Sequence, residues 1–161
     1  MSRADLEQLY AHMERRSYNV VYRQLWSSAD AQDVVQEAFV RLWKKRSEVR
    51  METVESLLFR IAINLAKNKR RSRRLWRFIP LMPLASTAEG ADESLADHRE
   101  AKRMQRALDA LPEDLRNVFV MCELFELSYR DVAEALGIKE GTVGSRRNTA
   151  LARMREVLDV Q

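Results

Sequence analysis

The sequence predicts an all-α protein: two small helical domains joined by a flexible linker. Three observations carry this expectation. Four Gly and three Pro in 161 residues leave little turn material for a β fold. Long runs of Ala, Leu, Glu, Lys, Arg and Gln are good helix formers. Apolar residues also recur at helical spacings on both sides of a Pro-bracketed, acidic middle segment. The length suits one ordinary domain or two small ones. Small helical domains bury modest cores, so contacts with partners add to their stability.

Ser2 and Asp5 give a helix-start signal. The helix they open is expected to run to about Trp26, with Leu6, Leu9, Met13, Tyr18, Val21 and Leu25 available for its buried face. Ser27-Ser28-Ala29-Asp30 breaks it. Asp30 is expected to cap the second helix, with Asp33 at the third helical position near the positive end of the dipole. Val34, Val35, Ala38, Phe39, Leu42 and Trp43 form that helix's apolar stripe. A third helix is expected from near Met51, with Val54, Leu57, Leu58, Ile61, Ala62 and Leu65 inward. It runs out into the tract KNKRRSRRLWR. Pro80 and Pro83 then bracket a break, and residues 78–93 read as a linker, apolar at first, then acidic and small. Helix resumes near Ser94 and reaches Ala110. Pro112 suits the first turn of the next helix, which carries Leu115, Val118, Phe119 and Leu124. No internal repeat points to a solenoid.

The last third reads as a helix, a tight turn and a second helix. Ser128-Tyr129-Arg130-Asp131 resembles a capping box with Asp in place of Glu or Gln. Val132, Ala133 and Leu136 give a short helix one buried face. Gly137 falls where a helix end wants a left-handed residue, and Ile138 packs back into the unit. From Thr142 to about Leu158 a second helix turns Val143, Ala150, Leu151, Met154 and Leu158 inward. Its expected outward residues are Ser145, Arg146, Asn148, Thr149 and Arg153. Ser, Asn and Arg near the start of such a helix can bond base edges or phosphates in a major groove. The alternative is an ordinary αα-hairpin with a solvated charged face.

The net charge is +4, but its distribution says more. Positions 67–77 hold seven Lys or Arg and no acid, whereas positions 89–100 carry Glu89, Asp92, Glu93, Asp97 and Glu100 against Arg99 alone. A basic cluster, an acidic bridge and a basic C-terminal helix suggest two modules that face nucleic acid. Cys122 is the only cysteine, so an internal disulfide is excluded, and its apolar neighbours suggest a small buried or half-buried side chain. No signal peptide is visible, and no apolar run approaches the ~20 residues of a membrane helix. The expected location is therefore cytoplasmic, without membrane insertion. His12 and His98 lie in different segments with no nucleophile or metal constellation beside them. An enzyme, a cofactor and a metal site are not expected.

Three segments together resemble the bacterial extracytoplasmic-function sigma factors, the smallest promoter-specificity subunits of RNA polymerase. The first is Asp30-Ala31-Gln32-Asp33-Val34-Val35-Gln36-Glu37-Ala38-Phe39-Val40-Arg41-Leu42-Trp43. The second is Ser56-Leu57-Leu58-Phe59-Arg60-Ile61-Ala62-Ile63-Asn64-Leu65 with the basic tract after it. The third runs from Leu111-Pro112 through Leu127-Ser128-Tyr129-Arg130-Asp131-Val132-Ala133 to Gly141-Thr142-Val143-Gly144-Ser145-Arg146. Their order and spacing agree across nearly the whole chain.

The resemblance implies a region 2-like domain over 1–77, a linker over 78–98 and a region 4-like helix-turn-helix domain over 99–161. It implies docking of the first domain on the β′ clamp helices of polymerase core through Asp30, Asp33, Gln36, Glu37, Arg41 and Trp43, with the β flap as a further contact of core. It assigns single-strand capture at the minus-ten element to Arg60, Asn64, Lys67, Asn68, Arg70, Arg71 and Arg74, with Trp76 placed to stack on a base. Duplex reading at the minus-thirty-five element falls to Thr142, Ser145, Arg146, Asn148, Thr149 and Arg153. An anti-sigma factor is implied as a further partner, and Glu89, Asp92, Glu93 and Asp97 could imitate RNA in the polymerase channel. On the residues alone, Asp30 and Asp33 could be caps only, Trp43 could be core, and Asn64 could bond local backbone. The basic tract could be a solvated helix tail. The chain departs from the family at Gly144, where Lys is usual, at Arg147, usually apolar, and at Thr149 and Leu151, where Arg is common. Glu126 replaces a Gly that often ends the preceding helix, and Asn68 stands where Asp is common. A conventional helix-turn-helix repressor or activator is the rival function, and it predicts tight duplex binding by the isolated protein.

Overall fold

The computed structural model describes residues 1–77 and 95–159, the stretches 74–77 and 95–98 by their backbone alone. The linker expected at 78–93, with Pro80, Pro83, Glu89, Asp92 and Glu93, lies outside the described residues, as do the side chains of Arg74, Trp76, Asp97 and His98. Every regular element among the described residues is helical. The chain divides into two compact units, Met1–Ala88 and Glu89–Gln161.

The first unit is built from α1 (Arg3–Leu25), α2 (Ser28–Lys44) and α3 (Val54–Arg77), with a 3-10 turn at Met51–Thr53 leading into α3. Each helix packs on the other two. α1 opens with the full reciprocal capping box between Ser2 and Asp5. That bond pattern, chiefly the Ser2 backbone N–H on the carboxylate, holds the Asp5 carboxyl below its ordinary range. α1 ends at Trp26, which adopts a left-handed conformation (φ 50°) and donates its N–H to the Tyr22 carbonyl.

The cap of α2 differs from expectation. Ser27 is the N-cap, and its hydroxyl accepts from the Asp30 N–H at 3.3 Å. Asp30 therefore sits in the first turn. The apolar stripe of α2 is as expected for Val34, Val35, Ala38, Phe39 and Leu42, all buried. Two other faces differ. In α1, Leu6 and Tyr18 are half-buried, and Ser17, Val20 and Gln24 are buried with Leu9, Met13, Val21 and Leu25. In α3, Leu57, Ile61 and Leu65 are half-buried, while Phe59, Ile63 and Ala66 join Val54, Leu58 and Ala62 in the core. Both lines run at helical spacing, and the positions of α1 and α2 decide which one is sealed.

The second unit holds α4 (Leu95–Ala110), α5 (Glu113–Phe119), a π-helical turn (Val120–Leu124), α6 (Tyr129–Leu136) and α7 (Glu140–Asp159). α7 packs against α4, α5 and α6. Pro112 is the N-cap of α5 rather than its first helical residue, and its carbonyl accepts from the Arg116 N–H at 2.9 Å.

Arg116 is the least expected core residue. It is 2 % exposed. Its guanidinium donates to the carbonyls of Leu108 at 2.7 Å, Leu111 at 2.6 Å and Asp109 at 3.3 Å. The end of a helix leaves carbonyls without partners, and here one buried arginine closes the end of α4. A cation also opposes the negative end of the dipole there.

The polypeptide passes from the π turn to α6 through Glu126, in a left-handed conformation (φ 52°). This is where the family pattern prefers Gly, and the side chain is exposed. Ser128 caps α6, accepting from the Asp131 N–H at 3.1 Å and donating to its carboxylate at 2.6 Å. α6 buries Val132, Ala133 and Ala135, while Leu136 is only half-buried. Gly137 (φ 68°) ends it, and the N–H groups of Gly137 and Ile138 both reach the Ala133 carbonyl.

Candidate nucleic-acid interface

α2 turns Gln36, Val40 and Arg41 to solvent on the side away from Val34, Ala38 and Leu42. Glu37, beside them, is half-buried. Glu37 accepts from Arg41 Nε at 2.7 Å, one helical turn on, and this bond holds the Glu37 carboxyl below its ordinary range. Val40 is 45 % exposed at the middle of this polar face. From the sequence it falls neither in the apolar stripe nor among the docking residues, because a lone Val off the stripe carries no pattern of its own. Trp43 is neither buried nor free: it is half-exposed, with the Arg46 guanidinium 4.5 Å from its ring centroid.

Asp30 and Asp33 do not stand with that face as an independent acidic pair. Lys69 of α3 bridges them, at 3.3 Å from Asp30 and 3.5 Å from Asp33. Arg73 also pairs with Asp30 and donates to the Leu25 carbonyl at 2.7 Å. Arg70 donates to the Gln24 carbonyl at 3.2 Å. The basic tract thus splits by its angle around α3. Lys69, Arg70 and Arg73 turn inward, where they close the C-terminal end of α1 and anchor the start of α2. Arg60, Asn64, Lys67, Asn68 and Arg71 follow one another at helical spacing on the exposed side. Of the sequence-predicted strand-capture residues, these five share a face. Arg70 leaves it, and the Arg74 side chain lies outside the described residues.

In the second unit α7 is the helix a groove could receive. Its inward residues are Val143, Ala150 and Met154, with Leu151 and Leu158 half-buried. Ser145, Asn148, Thr149 and Arg153 are exposed, as expected, and Thr142 is half-exposed. Arg146 is not on the outward strip: it is half-buried on the flank, 3.5 Å from the Asp114 carboxylate of α5. Arg147 turns inward. It pairs with Glu123 in the π turn and donates to the Tyr129 hydroxyl at 3.3 Å. Those two bonds raise its pKa, the Glu123 bond foremost.

Two of the four departures from the family pattern on this helix, Gly144 and Arg147, meet at one side chain. A side chain at Gly144 would begin 3.4 Å from the Tyr129 ring, and the same ring carries its hydroxyl to Arg147. Cys122 is buried in the π turn, and desolvation pushes its thiol up, away from the reactive thiolate.

A compact three-helix unit with a polar-aromatic ridge, followed by a helix-turn-helix unit, has the two-part design of a sigma-70-type protein. Comparison with known families agrees: the sigma-70 region 2 family matches residues 9–75 and the sigma-70 region 4 family matches residues 101–154. The chain is 33 % identical over 147 residues to the extracytoplasmic-function sigma factor SigE of Mycolicibacterium smegmatis, a match that covers 89 % of this chain and 57 % of that protein. It is 31 % identical over 159 residues to the RNA polymerase sigma-H factor of Pseudomonas aeruginosa, covering 91 % and 80 % of the two chains. To the sigma-E factor of Escherichia coli it is 31 % identical over 152 residues, covering 82 % and 73 %.

Two solved structures share the fold. One is the sigma factor RpoE of Bartonella quintana, crystallised with the anti-sigma factor NepR (TM-score 0.75, 22 % identity, 98 % of both chains). The other is CnrH with the cytosolic domain of CnrY (TM-score 0.71, 24 % identity, 97 % of this chain and 88 % of that one). The chain belongs to the extracytoplasmic-function RNA polymerase sigma factors, whose role is transcription initiation. No helix among the described residues is long and apolar enough to cross a membrane.

Proposed function

We propose that the two units divide the work of promoter opening between them. The exposed α2 face docks on the β′ clamp helices of polymerase core through Gln36, Glu37, Val40 and Arg41, with Trp43 at its edge. The exposed face of α3, Arg60 to Arg71, captures the opened minus-ten strand, and the second unit meets the β flap and the minus-thirty-five duplex. The protein works by binding and carries out no covalent chemistry. An anti-sigma protein restrains it, as the partners crystallised with RpoE and CnrH suggest. The observation that carries the docking assignment is one exposed α2 strip with Gln36, Val40 and Arg41 on it and the half-exposed Trp43 at its edge, since an aromatic set among polar groups is a usual interface anchor. Asp30 and Asp33 support that surface indirectly, by fixing the start of α2 against α3.

The test is association of Val40→Asp with core polymerase. Val40 is exposed, so the substitution leaves the helical fold intact by circular dichroism. Core affinity should fall by roughly tenfold or more, the cost of about 1.4 kcal/mol or above at an interface centre. Unchanged affinity with the fold intact removes α2 from the docking surface.

A further inference from the structure

The outward strip of α7 has lost most of its charge. Its two consecutive arginines are engaged within the unit, Arg146 by Asp114 and Arg147 by Glu123 and Tyr129. What remains at the centre of the exposed side is Ser145, Asn148 and Thr149. The two hydroxyls are also committed in direction. Ser145 Oγ donates to the Thr142 carbonyl at 3.1 Å, and Thr149 Oγ1 donates to the Ser145 carbonyl at 3.0 Å. A hydroxyl has one proton and two lone pairs. With the proton turned into the helix, each oxygen offers only acceptor capacity to a ligand. Between them Asn148 offers one carbonyl acceptor and an amide donor.

We infer that this helix reads exocyclic amino groups in the major groove, with Asn148 as the specificity-determining residue and Ser145 and Thr149 as flanking acceptors. The inference rests on the duplex-reading role proposed for the second unit and says what that role recognises. In the major groove adenine presents N6–H2 beside the N7 acceptor, and cytosine presents N4–H2. An Asn amide matches the adenine pair in both directions, whereas the acceptor pair N7 and O6 of guanine calls for an arginine or lysine. Arg153, exposed on the flank of α7, is placed for phosphate and carries position rather than sequence.

The experiment uses full-length protein reconstituted with polymerase core. Selection from promoters randomised over the minus-thirty-five region gives the preferred duplex. Each adenine in it is then replaced by purine, and each cytosine by 2-pyrimidinone, which removes the amino group. Each guanine is replaced by 7-deazaguanine, which removes N7. Removal of one or more amino groups should weaken holoenzyme binding by roughly 5- to 150-fold, the range for one bidentate base contact. In Asn148→Ala the removal that costs most in the parent should cost less than about twofold, any residual effect being confined to neighbouring positions within reach of Ser145 and Thr149, and 7-deazaguanine should be tolerated. Asn148 is exposed, so its substitution tests reading and not folding. A holoenzyme that starts transcription yet ignores every amino group overturns the inference and leaves the sigma-factor role standing. So does a guanine preference abolished both by 7-deazaguanine and by Arg146→Ala. Failure to associate with core overturns both.

Discussion

Removing the Arg116 side chain should unfold the second unit without touching the first unit. Arg116→Ala removes the guanidinium from the carbonyls of Leu108 and Asp109 in α4 and of Leu111 just past it, leaving Leu108 only the Leu111 N–H at 3.2 Å. A hydrogen bond from a charged donor is worth about 1.5–3 kcal/mol net. Two of the three contacts are short, and the third, at 3.3 Å, adds little. The buried volume vacated by the side chain adds a cavity cost. The two short bonds alone come to about 3–6 kcal/mol, and the cavity adds to that, so the loss is about 3 kcal/mol or more, as for other broken buried networks. A unit the size of residues 95–159 has on the order of 3–10 kcal/mol to lose, so the variant should be marginal or unfolded there.

Hydrogen exchange measured peptide by peptide separates the outcomes. Peptides from α4 to α7 should lose protection, while those from α1 to α3 stay as in the parent and act as the internal reference. Arg116→Lys should fall between the two, because a single ammonium cannot hold carbonyls fixed by a planar fork. A loss below about 1 kcal/mol, or one spread equally over both units, would refute the assignment of Arg116 as the closure of α4.

The split of the basic tract separates two neighbouring arginines. Arg71→Ala should lower the salt dependence of strand capture in the holoenzyme by up to about 0.7 in logarithmic slope, the share of one single-strand phosphate contact. Arg70→Ala should leave that slope nearly unchanged and reduce the melting temperature of the free protein, because its guanidinium holds the Gln24 carbonyl. The reverse pattern would reassign the two faces. For Glu37 the sign follows from its Arg41 bond. Its folded pKa lies below the ordinary value of 4.5, so the stabilisation is present above that value and is lost as pH falls through the folded pKa. NMR titration of the Glu37 carboxyl should show the depressed value in the parent and return it toward 4.5 in Arg41→Ala; an identical titration in both would show that the bond does not persist in solution.

The helices were legible because their signals are local. Ser2 with Asp5, Ser128 with Asp131, and Gly137 are read within a few residues, and the structure has all three as caps. The α2 cap was misplaced because Ser27-Ser28-Ala29-Asp30 offers several cap residues. Ser27-x-x-Asp30 is itself a capping pattern, and it was the signal to follow. What failed was azimuth. In α3, Leu57, Ile61 and Leu65 and Phe59, Ile63 and Ala66 are both periodic apolar lines, and only the packing of α1 and α2 chooses between them. The same ambiguity let Arg70 and Arg71 read as equivalent. Arg116 was invisible to pattern because a charge is read as outward. Its one trace is that it interrupts the apolar run from Leu115 to Val120 just after a helix end at Leu111-Pro112.

These misreadings have a common physical cause, which also bears on function. A cation in the sequence is counted as available for nucleic acid, but a small helical unit has many helix ends to close and few polar groups to close them with. Lys69, Arg70, Arg73, Arg116 and Arg147 all work inside their own unit, and Arg146 leans on Asp114. The positive charge that α3 and α7 turn outward is therefore smaller than the sequence suggests. Phosphate affinity rises steeply with the number of cations engaged together. On the proposed function, two lightly charged strips on different units should give little affinity for DNA on their own and gain it when polymerase core holds both against one promoter. That is the requirement of a specificity subunit. On the same proposal, a domain that spends its arginines on its own helix ends suits a subunit that binds DNA weakly while free and selects it once joined to the polymerase.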